Sequence, residues 1–179
     1  RWTAAPTKND AAQAAVAIVL GQMFMKPAGS PWAAVDRIDK ETPADIKLRI
    51  LDIHAEASSE KIAMGRHLDG RATIVFGTHT HVPTADACIL PGGTAYISDV
   101  GMTGPYDSVL GRRTDRVLKS LLTDMPTFYQ VATGAPRLCG VLVTADTRTG
   151  RATAIERVEL RGETKPGRPY DKLDGMGKQ

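Results

Sequence analysis

Short apolar, β-branched runs recur along this chain, separated by stretches of helical spacing or by turn residues, and this alternation predicts its elements. Val16–Leu20 reads as a strand, after which Pro27, Gly29 and Pro31 break the chain ahead of a helix over Trp32–Lys40. Leu48–Ile53 reads as a buried strand, and Ser58 or Ser59 can cap a helix running to Leu68, with Gly70 as its stop. Ala72–Phe76 is the next strand. Pro91-Gly92-Gly93 turns the chain into another at Thr94–Asp99, and a helix follows near Thr114–Leu122. Leu138–Val143 and Ala152–Glu159 alternate across Thr147-Arg148-Thr149-Gly150 as a β-hairpin. Arg1–Gln13, polar and Ala-rich, is expected to be loop or frayed helix, and the tail after Gly162 is expected to be disordered.

Strand, helix, strand in that order predicts parallel neighbours joined by a helical crossover. Such a layout delivers three histidines to one edge of a sheet. His54 follows the Leu48–Ile53 run, and His79 and His81 follow the Ala72–Phe76 run. In a strand, residues i and i+2 face the same way, so His79 and His81 can reach one side together, and a metal could collect both along with His54. His-x-His spacing also occurs by accident, with rings that bond to backbone or solvent. His67 falls in the last turn of its helix, where a partly charged imidazole suits the negative end of the dipole, and a structural or solvent role is assigned to it.

Composition narrows the class. The chain has 179 residues and 42% hydrophobic content, enough for one core of ordinary domain size. No apolar stretch approaches the roughly 20 residues that span a bilayer, and the Ala-rich opening lacks the charged start of a signal peptide. The two cysteines, Cys88 and Cys139, form no metal knuckle or disulfide framework and are expected to be free and buried in a reducing cytoplasm. A net charge of +3, scattered through Arg112, Arg113, Arg116 and Lys119, weakly favours an anionic substrate or simply a solvated face.

A longer pattern surrounds the histidines: Asp52-Ile53-His54-Ala55-Glu56-Ala57-Ser58-Ser59-Glu60-Lys61, Leu68-Asp69-Gly70, Gly77-Thr78-His79-Thr80-His81-Val82, Thr84-Ala85-Asp86, Ile89 to Tyr96, and Asp99 to Ser108. From about Val16 to about Val158 the chain resembles the YmdB-like bacterial metallophosphoesterases, a branch of the calcineurin-like superfamily. Ile53 stands where Phe is usual, Ser58 where Thr is usual and Pro83 where Gln is usual. The Gly-Asp motif, bridging acidic ligand and Asn-His pair with which the family begins have no counterpart here. The chain is therefore expected to be the C-terminal portion of one metallophosphoesterase domain over 1–162, with half of a two-metal site.

The resemblance implies an α/β fold, part of a calcineurin-like α/β/β/α sandwich of mixed sheets flanked by helices. It implies His54 and His79 as ligands to one metal and His81 as a ligand to a second, the ions being manganese or iron, or else zinc. It also implies hydrolysis of phosphodiester or phosphomonoester bonds, with 2′,3′-cyclic nucleotides the best-fitting class, by a metal-bridging hydroxide. The general acid would be the histidine of the absent pair, so none is assigned. Glu56, Asp86 and Asp99 are candidates to fix the ligand rings, since metal-bound histidines commonly donate their second N–H to a carboxylate; Glu56 could instead pair with Lys61 or Arg66. Thr103 and Tyr106, in the glycine-rich Gly101–Ser108 loop, are candidates to shape a nucleotide pocket, although those glycines equally suit a tight turn. An isolated half-sandwich is expected to self-associate or to pair with the missing part, because each sheet needs a covering layer. Two rivals stay open: a single zinc, catalytic or structural, on the three histidines alone, and a catalytically silent RNA-binding or regulatory module.

Overall fold

The computed structural model describes residues 3–6, 13–26 and 28–163. Within them lie strands β1 (Thr3–Pro6), β2 (Gln13–Leu20), β3 (Leu48–His54), β4 (Ile74–Thr78), β5 (Cys88–Ile89), β6 (Ala95–Ile97), β7 (Gly104–Asp107), β8 (Gly134–Ala145) and β9 (Ala152–Arg161). Three helices accompany them, α1 (Pro31–Glu41), α2 (Ser58–His67) and α3 (Thr114–Thr123). Contacts divide the chain into two compact units, one of residues 1–101 with 140–158 and one of residues 102–139 with 159–179.

The first unit is built on a mixed sheet ordered β1-β2-β3-β4-β6-β5. Its centre, β2-β3-β4-β6, is parallel, with α1 and α2 in the first two connections, and antiparallel β1 and β5 close the edges. Alternation along the strands sorts the faces. Ala17, Val19, Leu51, Ile53 and Val75 point to the helix side, where they bury against Val35 and Ile38 of α1 and Met64 of α2. The opposite face carries Ile50, Ile74 and Phe76, which pack with Val141 and Val143 of β8 and Ala152 and Ile155 of β9. Farther along that face Ile18 and Leu20 are exposed. In the second unit, β7 pairs antiparallel with the start of β8, and α3 follows β7.

The predicted elements occur in the predicted order, β3 and β4 are parallel as the sequence predicts, and the mixed α/β class holds; β5 and β7 are strands that the sequence reading lacks, the latter inside the expected Gly101–Ser108 loop, because each forms by pairing with another strand. Several boundaries differ. Thr3–Pro6, expected as loop or frayed helix, is a strand, because it pairs antiparallel with β2 (Thr3 opposite Val16). Neither Ser58 nor Ser59 caps α2; the N-cap is Ala57 without a side-chain bond, and the Glu60 carboxylate occupies the first turn, where the helix dipole favours a negative charge. β4 ends at Thr78, two residues later than predicted, and β6 is shorter than the expected Thr94–Asp99. Cys88 is exposed rather than buried, whereas Cys139 is buried, and both are free. The Pro27 breaker and the tail beyond residue 163 lie outside the described residues, as do 1–2 and 7–12.

Candidate functional site

Parallel strands that end in step place their last residues side by side. His54 closes β3, Thr78 closes β4, and the register pairs His54 with Leu20 on one side and Thr78 on the other. A chain of polar contacts starts from this pairing. The Thr78 hydroxyl donates to Asp52 Oδ1 at 2.8 Å, which leaves its oxygen to accept from His54 Nδ1 at 2.9 Å. His79 Nε2 lies 3.0 Å from Glu56 Oε2. His54 Nε2 and His79 Nδ1 then face each other at 3.1 Å, with the rings edge to face and their centroids 4.8 Å apart.

These partners fix the tautomers. With one N–H of each ring given to Thr78 and Glu56, the two facing nitrogens both carry lone pairs, which repel unless a proton or a cation is shared between them. Two nitrogens each about 2.0–2.1 Å from one ion stand roughly 2.9–3.4 Å apart for angles between about 90° and 110°. The observed separation falls inside that range, so the pair fits two ligands of a single metal. Among the described residues, no group of three or more His, Cys, Asp and Glu side chains gathers to hold one. The fit is therefore to part of a coordination shell.

His79 and His81 are not placed by strand alternation, as the sequence suggests, because both lie beyond the end of β4. Their φ values are +110° and +66°, a region that non-glycine residues visit rarely and that concentrates at functional sites. The loop is held in this shape through Thr80, whose N–H and hydroxyl both donate to Asp99 Oδ2, at 3.0 and 2.8 Å. Asp99 is in turn buried against Lys61, whose Nζ lies 2.9 Å away, and its other oxygen accepts from the Gly101 N–H. Asp99 thus braces the loop between two histidines. Asp86 bonds elsewhere too, to the Ser98 hydroxyl and N–H and to the Thr84 hydroxyl. Partial burial works against its charge, but these donors outweigh it and hold the carboxyl below its usual range. Asp52 shows the reverse balance, with burial pushing it up against the pull of the Thr78 hydroxyl.

Of the predicted site residues, His54, His79 and Glu56 come together directly. His81 is exposed two residues beyond His79. Thr103 and Tyr106 belong to the second unit, where the Tyr106 hydroxyl contacts Met102 and Cys139 Sγ and the Arg137 guanidinium stacks on its ring. His67, given a structural role, meets Asp36 at 3.0 Å and stands edge-on to Trp32. Asp52, Thr78 and the pairing of Lys61 with Asp99 escaped the sequence reading. The first two lie on the His54 face of adjacent strands, a signal visible only once the register is known.

Known proteins share this sequence and this fold. The family model described as YmdB-like protein matches residues 2–158. A 2′,3′-cyclic-nucleotide 2′-phosphodiesterase of Bacillus subtilis (strain 168) is 44% identical over 156 residues, 87% of this chain and 59% of that protein. Among solved structures, a hypothetical protein from Thermus thermophilus superposes with a TM-score of 0.84 at 38% identity, covering 90% of this chain and 62% of the other. A novel phosphatase from Mycoplasma pneumoniae gives 0.81 at 32% identity, over 91% of this chain and 58% of the other. The chain spans about three fifths of the length of these relatives.

Proposed function

Since the chain belongs to the YmdB-like protein family, we propose that it serves a metal-dependent phosphoesterase acting on phosphodiester or phosphomonoester bonds of nucleotides, 2′,3′-cyclic nucleotides foremost. The observation that carries this is the pair of facing imidazole lone pairs, His54 Nε2 and His79 Nδ1, 3.1 Å apart. The activity for which the Bacillus relative is named supplies the substrate class. His54 and His79 would hold one divalent ion and His81 a second, with manganese or iron ahead of zinc on the family resemblance. Bound metal of this kind lowers the pKa of water and neutralises phosphoryl oxygens.

The remaining work falls to the chain itself. Thr78 and Asp52 keep the His54 proton on Nδ1 and its Nε2 free to ligate, and Glu56 does the same for His79 through Nε2. Asp99 and Lys61 hold the loop that presents His79 and His81. No residue here is given the proton for the leaving oxygen. We further propose a cytoplasmic protein that works as a homo-oligomer or bound to a further segment, the association resting on Ile18 and Leu20, two large apolar side chains exposed on the sheet face opposite the helices; among the described residues, no helix is long and apolar enough to cross a membrane.

The test is turnover of 2′,3′-cyclic AMP and bis(p-nitrophenyl) phosphate by the full-length protein with manganese, iron or zinc. Activity should be lost in His79→Ala while circular dichroism is retained. No hydrolysis with any of the three metals, or full activity in His79→Ala, overturns the proposal.

A further inference from the structure

The loop after β2 displays one aromatic ring, and the residues around that ring are tied down. The Gly21 N–H donates to the His54 carbonyl at 2.9 Å, so the loop begins on the backbone of a candidate ligand. The Gln22 N–H donates to both carboxylate oxygens of Glu60, at 2.9 and 3.1 Å, and the Met23 N–H to one of them at 3.3 Å. Glu60 is itself buried, and a Cβ added at Gly21 would stand 2.5 Å from Ala55 Cβ and from Glu60 Oε2, so the chain lies flat there. Met25 packs against the buried core.

Between these anchors stands Phe24, with φ +62° and 85% exposure. A bulky residue in the left-handed region is strained, and an exposed ring forfeits the burial that would stabilise it. Nothing in a floppy loop would hold it so; the anchored neighbours do. Strain maintained by rigid surroundings is the mark of a functional display.

We propose that Phe24 is the platform on which the base of a bound nucleotide stacks while its phosphate is held beside His54 and His79. The inference rests on the phosphoesterase reading of the histidine pair. Gly21 is bonded to His54, and the three residues from Gly21 to Phe24 reach at most roughly 10 Å, the order of a nucleoside's length from base to phosphate. Every base has a π-face, so an aromatic platform accepts all of them and sets the substrate class, nucleotide over bare phosphoester, without choosing among bases.

Binding is tested on the manganese-loaded full-length protein, by calorimetry at low temperature with 2′,3′-cyclic AMP and with ethylene phosphate, a cyclic phosphodiester that has no base. Phe24→Ala should weaken cyclic AMP about tenfold while Phe24→Trp restores it and ethylene phosphate shifts by less than about twofold. Equal Kd values for cyclic AMP in wild type and Phe24→Ala, or an equal loss for both ligands, overturns the proposal. Turnover measured on the same samples separates the two readings. Phe24-dependent binding without hydrolysis refutes the phosphoesterase alone, and hydrolysis with Phe24-independent binding refutes the platform alone.

Discussion

Thr78 carries more of the site than its size suggests, because one hydroxyl joins Asp52 to His54 and so decides which nitrogen of His54 is free. Thr78→Val keeps the strand and the shape but cuts that link. Metal affinity should fall about 10- to 100-fold, as for other lost partners of ligating histidines, with the melting temperature little changed; titration with manganese checks it. The neighbouring Gly77 is constrained in another way. A Cβ there would run into the Ser98 carbonyl oxygen and approach Lys61 Cδ to 2.7 Å, and a backbone oxygen cannot move aside. Gly77→Ala should therefore cost about 1–3 kcal/mol in chemical denaturation, whereas the same change in an open strand would be neutral or stabilising. His54 and His79 stand out in the sequence as candidates because few residue types serve as metal ligands, and the structure brings these two together. Thr78 and Asp52 do not stand out, since a threonine and an aspartate are ordinary until strand pairing sets them beside an imidazole.

Helix α2 ties the interior of the sheet to the site. Its Lys61 is buried with Asp99, and Asp99 in turn holds Thr80 in the histidine loop. Lys61→Met leaves a buried carboxylate without its counter-charge, so it should destabilise by about 3–5 kcal/mol in urea unfolding. Asp99→Asn, which keeps the size and one acceptor, should cost less stability but loosen the loop, seen as faster amide exchange at Thr80 and His81. At this scale the sequence was informative about order and less so about ends. The helix and strand periods around His54 were strong enough to predict β3, α2 and β4 in sequence. β1 was missed because Thr3-Ala4-Ala5-Pro6 has no alternation of its own and becomes a strand through its pairing with β2. The expected serine cap of α2 is absent because the helix starts one residue earlier, so Ser58 and Ser59 lie inside it, after the Ala57 N-cap.

Over the whole molecule, a polar chain runs from buried Tyr96 and Ser98 out to exposed Asp86 and to Thr84, and links β6 to the loop that follows the histidines. Tyr96 is 4% exposed, and burial raises its phenol to about 12 despite the Ser98 hydroxyl beside it. In the unfolded chain the same group titrates near its ordinary 10.0. The folded state therefore binds more protons between these values, and stability should be level below about pH 10 and fall as pH rises towards 12. Burial also raises Tyr106, so two phenols contribute. Denaturant midpoints from about pH 9 to 12 should show the decline, with Tyr96→Phe making it shallower; an unchanged slope would contradict this. The division into two units was invisible in the sequence, since no break in composition falls near residues 101 or 140. It arises instead from long-range pairing, with residues 140–158 packing on the first sheet far from their place in the chain.

The left-handed backbone at His79 also limits how this position can vary. Histidine, asparagine, aspartate and glycine tolerate positive φ, whereas β-branched residues do not. If His79 ligates as proposed, a lineage that gave up that ligand would drift here towards Asn or Gly, and a Val or Ile at this point would signal that the entire turn had been rebuilt.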